Sequence, residues 1–192
     1  AFYPLFTAMM NTFTGGISVS CETKYLFYAA AVQLGHYYNL PVMTVYGGSD
    51  AADPIGWDVG KDDAIDAFFS CATGPDMAPG LGLLDGFTLL YPEKLLLDDE
   101  IIQSVKFMAE GMIADSEQPA IDEIMAVGSE GHFLDRDFTV RNVRRLWQPR
   151  ISQQWSPEMQ NFREPQEAAL DKTKWILKNH KPKPLDEKAA DE

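Results

Sequence analysis

Two glycines at the end of a short apolar run pose a chemical question. Residues 42–46, "VMTVY", read as a strand, and "GGSDAADPIGWD" follows at once, with Gly47 and Gly48, then Ser49, Asp50, Asp53 and Asp58. Paired glycines let a backbone take positive φ or let another group come close. The carboxylates beside that opening supply negative charge and hydrogen-bond acceptors. Aromatic residues fall near the same predicted loops, namely Tyr46, Trp57, Phe87 and Phe133, and Asp85 adds a further acid. Aromatic faces together with carboxylates are a physical means of holding a protonated or quaternary amine. The plainer alternative is a strand-to-helix turn with Ser49 or Asp50 as helix N-cap and aromatics that only fill the core.

Other chemistries lack their residues. Gly80, Gly82 and Gly86 do not have the spacing of a dinucleotide-binding fingerprint, and no phosphate-binding loop occurs. The elbow Gly-x-Ser-x-Gly of serine hydrolases is missing too. His36, His132 and His180 are scattered, without partners at metal-ligand spacing, so no metal site is expected. Cys21 and Cys71 do not make a disulfide framework and are expected to be small buried hydrophobes, reduced in a cytoplasm. A formal charge of −13 argues against nucleic acid as a partner. No run of about 18 apolar residues suggests a membrane span, and a cytoplasmic location is expected.

The elements that must position the candidate residues alternate in type. "GGISVSCE" gives a short β-branched run, Ile17 to Ser20, and Thr23 to Asn39 repeats apolar residues at helical spacing, stopped by Asn39 before Leu40-Pro41. After the strand Val42 to Tyr46, a helix is predicted from about Trp57 to Ala72, closed by Gly74-Pro75. Two short extended pieces broken by glycines follow, and then a helix from Lys94 to Met112, capped near Tyr91-Pro92. This alternation with short loops predicts an α/β fold with a parallel sheet, in which the carboxyl ends of strands form the functional face. Gly47-Gly48 and the segment Gly80 to Gly86 both fall at such ends.

After Ser116 the pattern changes to a short helix, a Gly-rich loop and a helix with Asp137 or Thr139 as N-cap that carries Arg141, Arg144 and Arg145, one of the last two being expected to pair with acids. A last helix runs to about Asn179, ahead of a Pro- and Lys-rich tail. Charge divides in the same place. Ala1 to Glu130 holds 4 Lys and no Arg against 19 acids, whereas Gly131 to Glu192 holds 12 basic residues against 10 acids. A basic arm lying on an acidic body, its own or a neighbour's, is the expectation, with Leu146, Trp147, Trp155 and Trp175 covered by that contact. The opening "AFYPLFTAMMNTFTGG" reads like the middle of a domain, and the chain is expected to be the C-terminal part of a longer protein.

These residues carry a resemblance. "ETKYLFYAAAVQLGHYYNLPVMTVYGGSDAADPIGWD" resembles a segment of the trimethylamine methyltransferase family, which shows a helix ending in Gln-Leu-x-x-x-Tyr-x-Leu-Pro, a strand, and then Gly-x-Ser-Asp-Ala. "GLGLLDGFTLLYPEKLLLDDEII", "EGHFLDRDFTVRNVRRLWQPRI" and "KPKPLDE" are similar to further segments in the same order. The resemblance implies the C-terminal portion of a TIM-type (β/α)8 barrel, residues 1–115, followed by a helical C-terminal arm, residues 116–192. It implies transfer of a methyl group from a methylated amine to the Co(I) of a separate corrinoid protein, with no cofactor bound directly and a homo-oligomeric assembly.

Two departures bear on substrate. Members acting on trimethylamine carry a pyrrolysine at the place of Gly48, and many read Glu-His-Thr where this chain has Asp137-Phe138-Thr139. The resemblance is therefore to the pyrrolysine-free branch, which acts on glycine betaine and similar quaternary amines. It places the reaction at Gly48 and the amine near Tyr46, Asp50, Asp53, Phe87 and Phe133. Gly48 is expected to leave room for the corrinoid, so that Gly48→Leu blocks methyl transfer and leaves the fold intact. Trimethylamine methyltransferase proper and a non-catalytic amine-binding or assembly subunit are the alternatives.

Overall fold

The computed structural model describes residues 3–4, 8–53, 56–111 and 121–184. Helices dominate it, and the strands are short. In chain order the elements are β1 (Tyr3–Pro4), β2 (Met9–Met10), β3 (Ile17–Ser18), α1 (Thr23–Tyr37), β4 (Val42–Met43), α2 (Trp57–Thr73), β5 (Leu83–Leu84), β6 (Leu89–Leu90) and α3 (Pro92–Glu110). The arm adds α4 (Ile121–Val127), α5 (Asp137–Asn142), a 3-10 turn (Val143–Arg145), β7 (Trp155–Ser156), β8 (Asn161–Phe162) and α6 (Pro165–Asn179). Met112 and residues 116–120, assigned above to a helix end and to the start of the arm, lie outside the described residues.

Local sequence accounts for the long helices. In α1 the run of alanines favours helix, and Asn39, at φ 54, ends it with the left-handed turn that asparagine tolerates. Gly74, also left-handed, closes α2, and Pro92 opens α3 at the first turn, where a missing N–H is harmless. The helix after the Gly-Gly loop does not begin at Ser49 or Asp50. It begins at Trp57 with Gly56 at the cap position and no side-chain cap, because both of those side chains are engaged elsewhere. Likewise α5 has Arg136, not Asp137 or Thr139, at its cap position.

The strand expected over residues 42–46 is regular only at Val42–Met43, and there it runs between parallel neighbours. On one side Tyr3 and Pro4 pair in parallel with Val42 and Met43. On the other, Met43 bridges Met77 in parallel, Thr44 N–H donates to Met77 O at 3.0 Å, and Tyr46 N–H donates to Pro79 O at 2.8 Å. The pleat sends alternate side chains to opposite faces. Val42, Thr44 and Tyr46 are buried while Met43 and Val45 are half-buried. Tyr46 joins Ala67 of α2 and Val105 of α3 in a core cluster, with Cys71, Ala78, Leu81, Ile101 and Ile102 around it.

The remaining pairs correct the expectation of a parallel sheet throughout. β2 with β3, β5 with β6, and β7 with β8 are antiparallel. Loops of a few residues join each pair, and a connection that short reverses the chain, whereas a parallel return needs a crossover of a dozen residues or more.

The arm lies on this chain's own body. α6 packs against α3, with Ile151, Ala168 and Ala169 buried against Leu96 and Leu97. Glu100 anchors the approach, its carboxylate accepting N–H bonds from Arg150 (2.5 Å), Ile151 (2.6 Å) and Ser152 (2.9 Å). Three of the four large apolar residues expected to drive this contact do not, and the fourth, Trp147, is half-buried. Leu146, Trp155 and Trp175 are exposed, and small alanines make the close helix approach instead. Among the described residues Arg136 meets Glu123 and Arg163 meets Asp171, while Arg145 donates to Asn142 Oδ1. Cys21 and Cys71 are half-buried rather than buried.

Candidate active site

The two glycine loops predicted at strand ends meet. Gly48 N–H donates to Leu83 O (3.3 Å), Gly86 N–H to Ser49 O (3.1 Å) and Asp85 N–H to Ala51 O (3.1 Å). Both loops need unusual backbone. Gly47 and Gly48 have φ of 70 and 79, and Asp85, Gly86 and Phe87 form a run at 50, 59 and 73. A left-handed aromatic or aspartate is strained by about 1–3 kcal/mol, and such residues gather at functional sites. The strain carries Phe87 over Gly48: a Cβ built on Gly48 would fall inside the Phe87 ring. The room expected above Gly48 is thus filled from within the chain, and the expectation that Gly48→Leu leaves the fold intact is corrected.

The other candidate residues are distributed unevenly. Asp50 is exposed, and its carboxylate accepts from Ser18 Oγ (2.6 Å) and from Val19 N–H (2.7 Å), which ties the segment before α1 to the Gly-Gly loop. Asp53 lies on the exposed stretch before α2, its carbonyl accepting from Gly56 N–H at 3.3 Å. Asp85 is exposed at the turn and holds Thr88 Oγ1 at 2.7 Å. Tyr46 faces the other way, its ring in the core between strand and helices at 1% exposure. Phe133 belongs to the exposed loop between α4 and α5, on the arm. The structure therefore brings Gly48, Asp50, Asp85 and Phe87 onto one pair of loops, with Tyr46 beneath them in the core.

Beneath the loops lies a layer of buried ions that the sequence analysis missed. α2 contributes Asp62, Asp63 and Asp66, α3 contributes Lys94 and Asp98, and α1 contributes Lys24, each at 3% exposure or less. Lys94 Nζ lies 2.8 Å from Asp63 and 2.7 Å from Asp98, and Lys24 Nζ lies 3.2 Å from Asp66. Asp62 Oδ2 accepts from Ser20 Oγ (2.5 Å) and Ser49 Oγ (3.0 Å), and Asp62 Oδ1 meets Lys61 at 3.2 Å. Among the described residues, Thr44 Oγ1, the Tyr46 hydroxyl, Asp63 Oδ1 and Asp66 Oδ1 are buried without a hydrogen-bond partner. No group of three or more His, Cys, Asp or Glu among the described residues is arranged to hold a metal ion. A signal was present in the sequence. Val59, Asp62, Asp63, Asp66 and Ala67 share one helical stripe, so the acids lie on the face whose apolar members must be buried.

Burial is the main force on Asp63 and Asp66. It pushes Asp63 up to about 7, with the Asp98 charge acting in the same direction and Lys94 opposing. It pushes Asp66 up to about 6 against the pull of Lys24 and the Gly47 amide. Burial and the charges of Asp98, Asp63 and Asp66 also raise Tyr46 far above the usual phenol range, so its hydroxyl keeps its proton. An acid whose folded pKa exceeds its unfolded value binds more protons when folded. Its stabilising contribution is present at low pH and lost as pH rises. For Asp63 the loss spans the interval from its ordinary value of 3.8 up to about 7. Asp63→Asn, which keeps the shape and cannot ionise, should therefore flatten the fall in urea-unfolding stability between about pH 5 and about pH 7.5. A slope equal to that of the unaltered protein would overturn this assignment.

The family model "Trimethylamine methyltransferase (MTTB)" matches residues 1–192. A trimethylamine methyltransferase from Desulfitobacterium hafniense (strain DSM 10664 / DCB-2) is 28% identical over 166 residues, 84% of this chain and 33% of that protein. A glycine betaine methyltransferase from Desulfitobacterium hafniense (strain Y51) is 27% identical over 187 residues, 94% of this chain and 38% of that protein. A trimethylamine methyltransferase from Methanosarcina thermophila is 27% identical over 166 residues, 84% of this chain and 34% of that protein. The chain spans roughly a third of the length of these relatives, 33% to 38%.

Proposed function

The chain belongs to the trimethylamine methyltransferase family, and from that membership we propose that the protein transfers a methyl group from a quaternary amine, of which glycine betaine is the type, to the Co(I) of a corrinoid carried by a separate protein. Residues 1–115 would be the last strand–helix units of a (β/α)8 barrel, and residues 116–192 a helical arm packed on it. Parallel neighbours on both sides of Val42–Met43 support that reading, since βα units in a barrel bring strands together in parallel.

Gly48 carries the choice of substrate. Its left-handed φ and the Phe87 ring against it leave no place for a long imine-bearing side chain at this position. A quaternary nitrogen needs no such help. When its methyl group leaves, the bonding pair stays on nitrogen and the product is a neutral tertiary amine, so no general acid is required. The chain's residues have to hold the cation in line and exclude water. Phe87, seated on a floor made by the Gly48 backbone, would offer the outer face of its ring to the amine, with Asp50 and Asp85 as a negative rim. Tyr46, in the core, would support the floor rather than touch the amine. Cation–π contact with one ring contributes only about 0.5–2 kcal/mol, so the acids and other rings must share the task.

Trimethylamine methyltransferase proper is the second reading, favoured by the names of two of the relatives above. Calorimetry on the intact protein separates the two. Glycine betaine is expected to bind at least about tenfold more tightly than trimethylammonium, a difference of about 1.4 kcal/mol. Tighter binding of trimethylammonium would favour the second reading. No detectable binding of either would leave the non-catalytic one.

A further inference from the structure

Two buried carboxylates grip the paired glycine loops from below, and the methyl transfer itself does not use them. Asp66 on α2 and Asp98 on α3 are 1% and 0% exposed. Gly47 N–H donates to Asp66 Oδ2 at 2.9 Å, and Gly82 N–H donates to Asp98 Oδ2 at 2.7 Å. An ammonium stands behind each, Lys24 at 3.2 Å from Asp66 and Lys94 at 2.7 Å from Asp98, and Lys94 also reaches Asp63 and so ties α2 to α3. Gly47 immediately precedes Gly48, and Gly82 begins the segment that carries Phe87 over it.

Apolar residues of similar volume would stabilise packed helices as well as these ion pairs do. What an apolar residue lacks is direction. A carboxylate that accepts from one particular amide fixes that peptide in place, and here two helices fix two peptides of the two loops that join at Gly48 and Leu83. We infer that Asp66 and Asp98 are positioning residues for the methylated-amine site, holding the loops at the separation that places Phe87 over Gly48. The inference rests on the reaction proposed above.

The test uses the intact protein with glycine betaine as methyl donor and its corrinoid protein as acceptor. Misplacing a site by about 1 Å costs about 100-fold in rate. Asp98→Ala is therefore expected to lower kcat about 100-fold while the KM for glycine betaine changes less than about threefold. Amide hydrogen exchange at Gly82 should accelerate at least about tenfold, with the amides of α1 unchanged. Asp98→Asn keeps an acceptor oxygen for Gly82 and should recover most of the lost kcat. A merely structural role would lower thermal stability and leave kcat per folded molecule unchanged, and that outcome overturns the inference. If Asp98→Ala does not fold, Asp66→Ala is read in the same way at Gly47, with Asp66→Asn as the variant that should recover kcat and with the same two outcomes. An unaltered protein that demethylates no quaternary amine overturns the reaction, and this inference with it. That failure is seen before any variant is made, so it is distinct from active protein with indifferent variants.

Discussion

Gly48→Ala is expected to destabilise the protein by about 2–5 kcal/mol, a large effect for the addition of one methyl group. Two separate costs produce it. Gly48 has φ 79, which an L-residue with a side chain adopts only at about 1–2 kcal/mol. The new Cβ also overlaps the Phe87 ring, an overpacking worth about 1–3 kcal/mol. The costs can be told apart, because only the second depends on Phe87. In a double-mutant cycle Gly48→Ala and Phe87→Ala should couple favourably by at least about 1 kcal/mol, and the φ strain should remain in the double variant. Urea unfolding at constant m reads both quantities. A Gly48→Ala protein as stable as the unaltered one would mean that the loops part easily, and Phe87 would then lose its place as the aromatic wall. Gly48→Leu should abolish the proposed methyl transfer because it unseats the loops.

The parts of this architecture that the sequence makes legible are those governed by local rules. Thr23–Tyr37 and Trp57–Thr73 carry helical spacing between recognisable stops and end within two residues of the expected positions, and the last helix ends at the expected Asn179. Val42 to Tyr46 is rich in residues that suit a pleated surface, and its first two residues form a strand with parallel neighbours. Strand pairing elsewhere depends on contacts between segments, and the extended pieces around Leu83 and Leu89 gave no sign of folding back on each other. The candidate site divides in the same way. Gly48 and Phe87 announce themselves as a glycine pair and an aromatic in a glycine-rich loop, but that one fills the space over the other depends on three left-handed residues, two of which are not glycine. Tyr46 looked like a site aromatic because it is next to the loop, yet the two-residue period of its strand turns it toward α2 and α3.

The buried ions were hidden by a sound general rule. Aspartate and lysine are rarely buried, and Lys94 and Asp98, four apart on a helix, look like an ordinary solvent-exposed pair. Their burial follows from what lies above them. The glycine loops turn peptide N–H groups at Gly47 and Gly82 inward, away from water, and a buried donor without a partner costs about 1–3 kcal/mol. Carboxylates on the helices below satisfy those donors, and lysines then become necessary to offset the carboxylates. The unusual backbone of the candidate site and the charges in the helix layer are thus two consequences of one arrangement.

That dependence makes Lys94→Met the most damaging change expected in the buried layer. Methionine has nearly the reach of the lysine stem and fills the same irregular space, so the loss is of charge rather than volume. Asp63 and Asp98 then face each other with their shared cation gone, and removing one partner of a buried ion pair costs about 3–5 kcal/mol. The contact of Lys94 Nζ with the Tyr46 ring, at 5.9 Å, is at the outer limit for a cation–π interaction and adds little. The loss should depend on pH in a definite direction. Asp63 already binds its proton more tightly than an ordinary aspartate, and without Lys94, which pulls it down, it binds it more tightly still. The folded variant therefore takes up protons that the unfolded chain does not, and its deficit is largest at high pH and shrinks as pH falls. Adding Asp63→Asn removes one of the two opposed charges and leaves Asp98 to hold Gly82, so the double variant should be more stable than Lys94→Met at about pH 8. Urea unfolding of the intact protein at about pH 5.5 and about pH 8 measures all of this. If Lys94→Met is within about 1 kcal/mol of the unaltered protein at the higher pH, water reaches these carboxylates, and the layer beneath the loops does not hold them by charge.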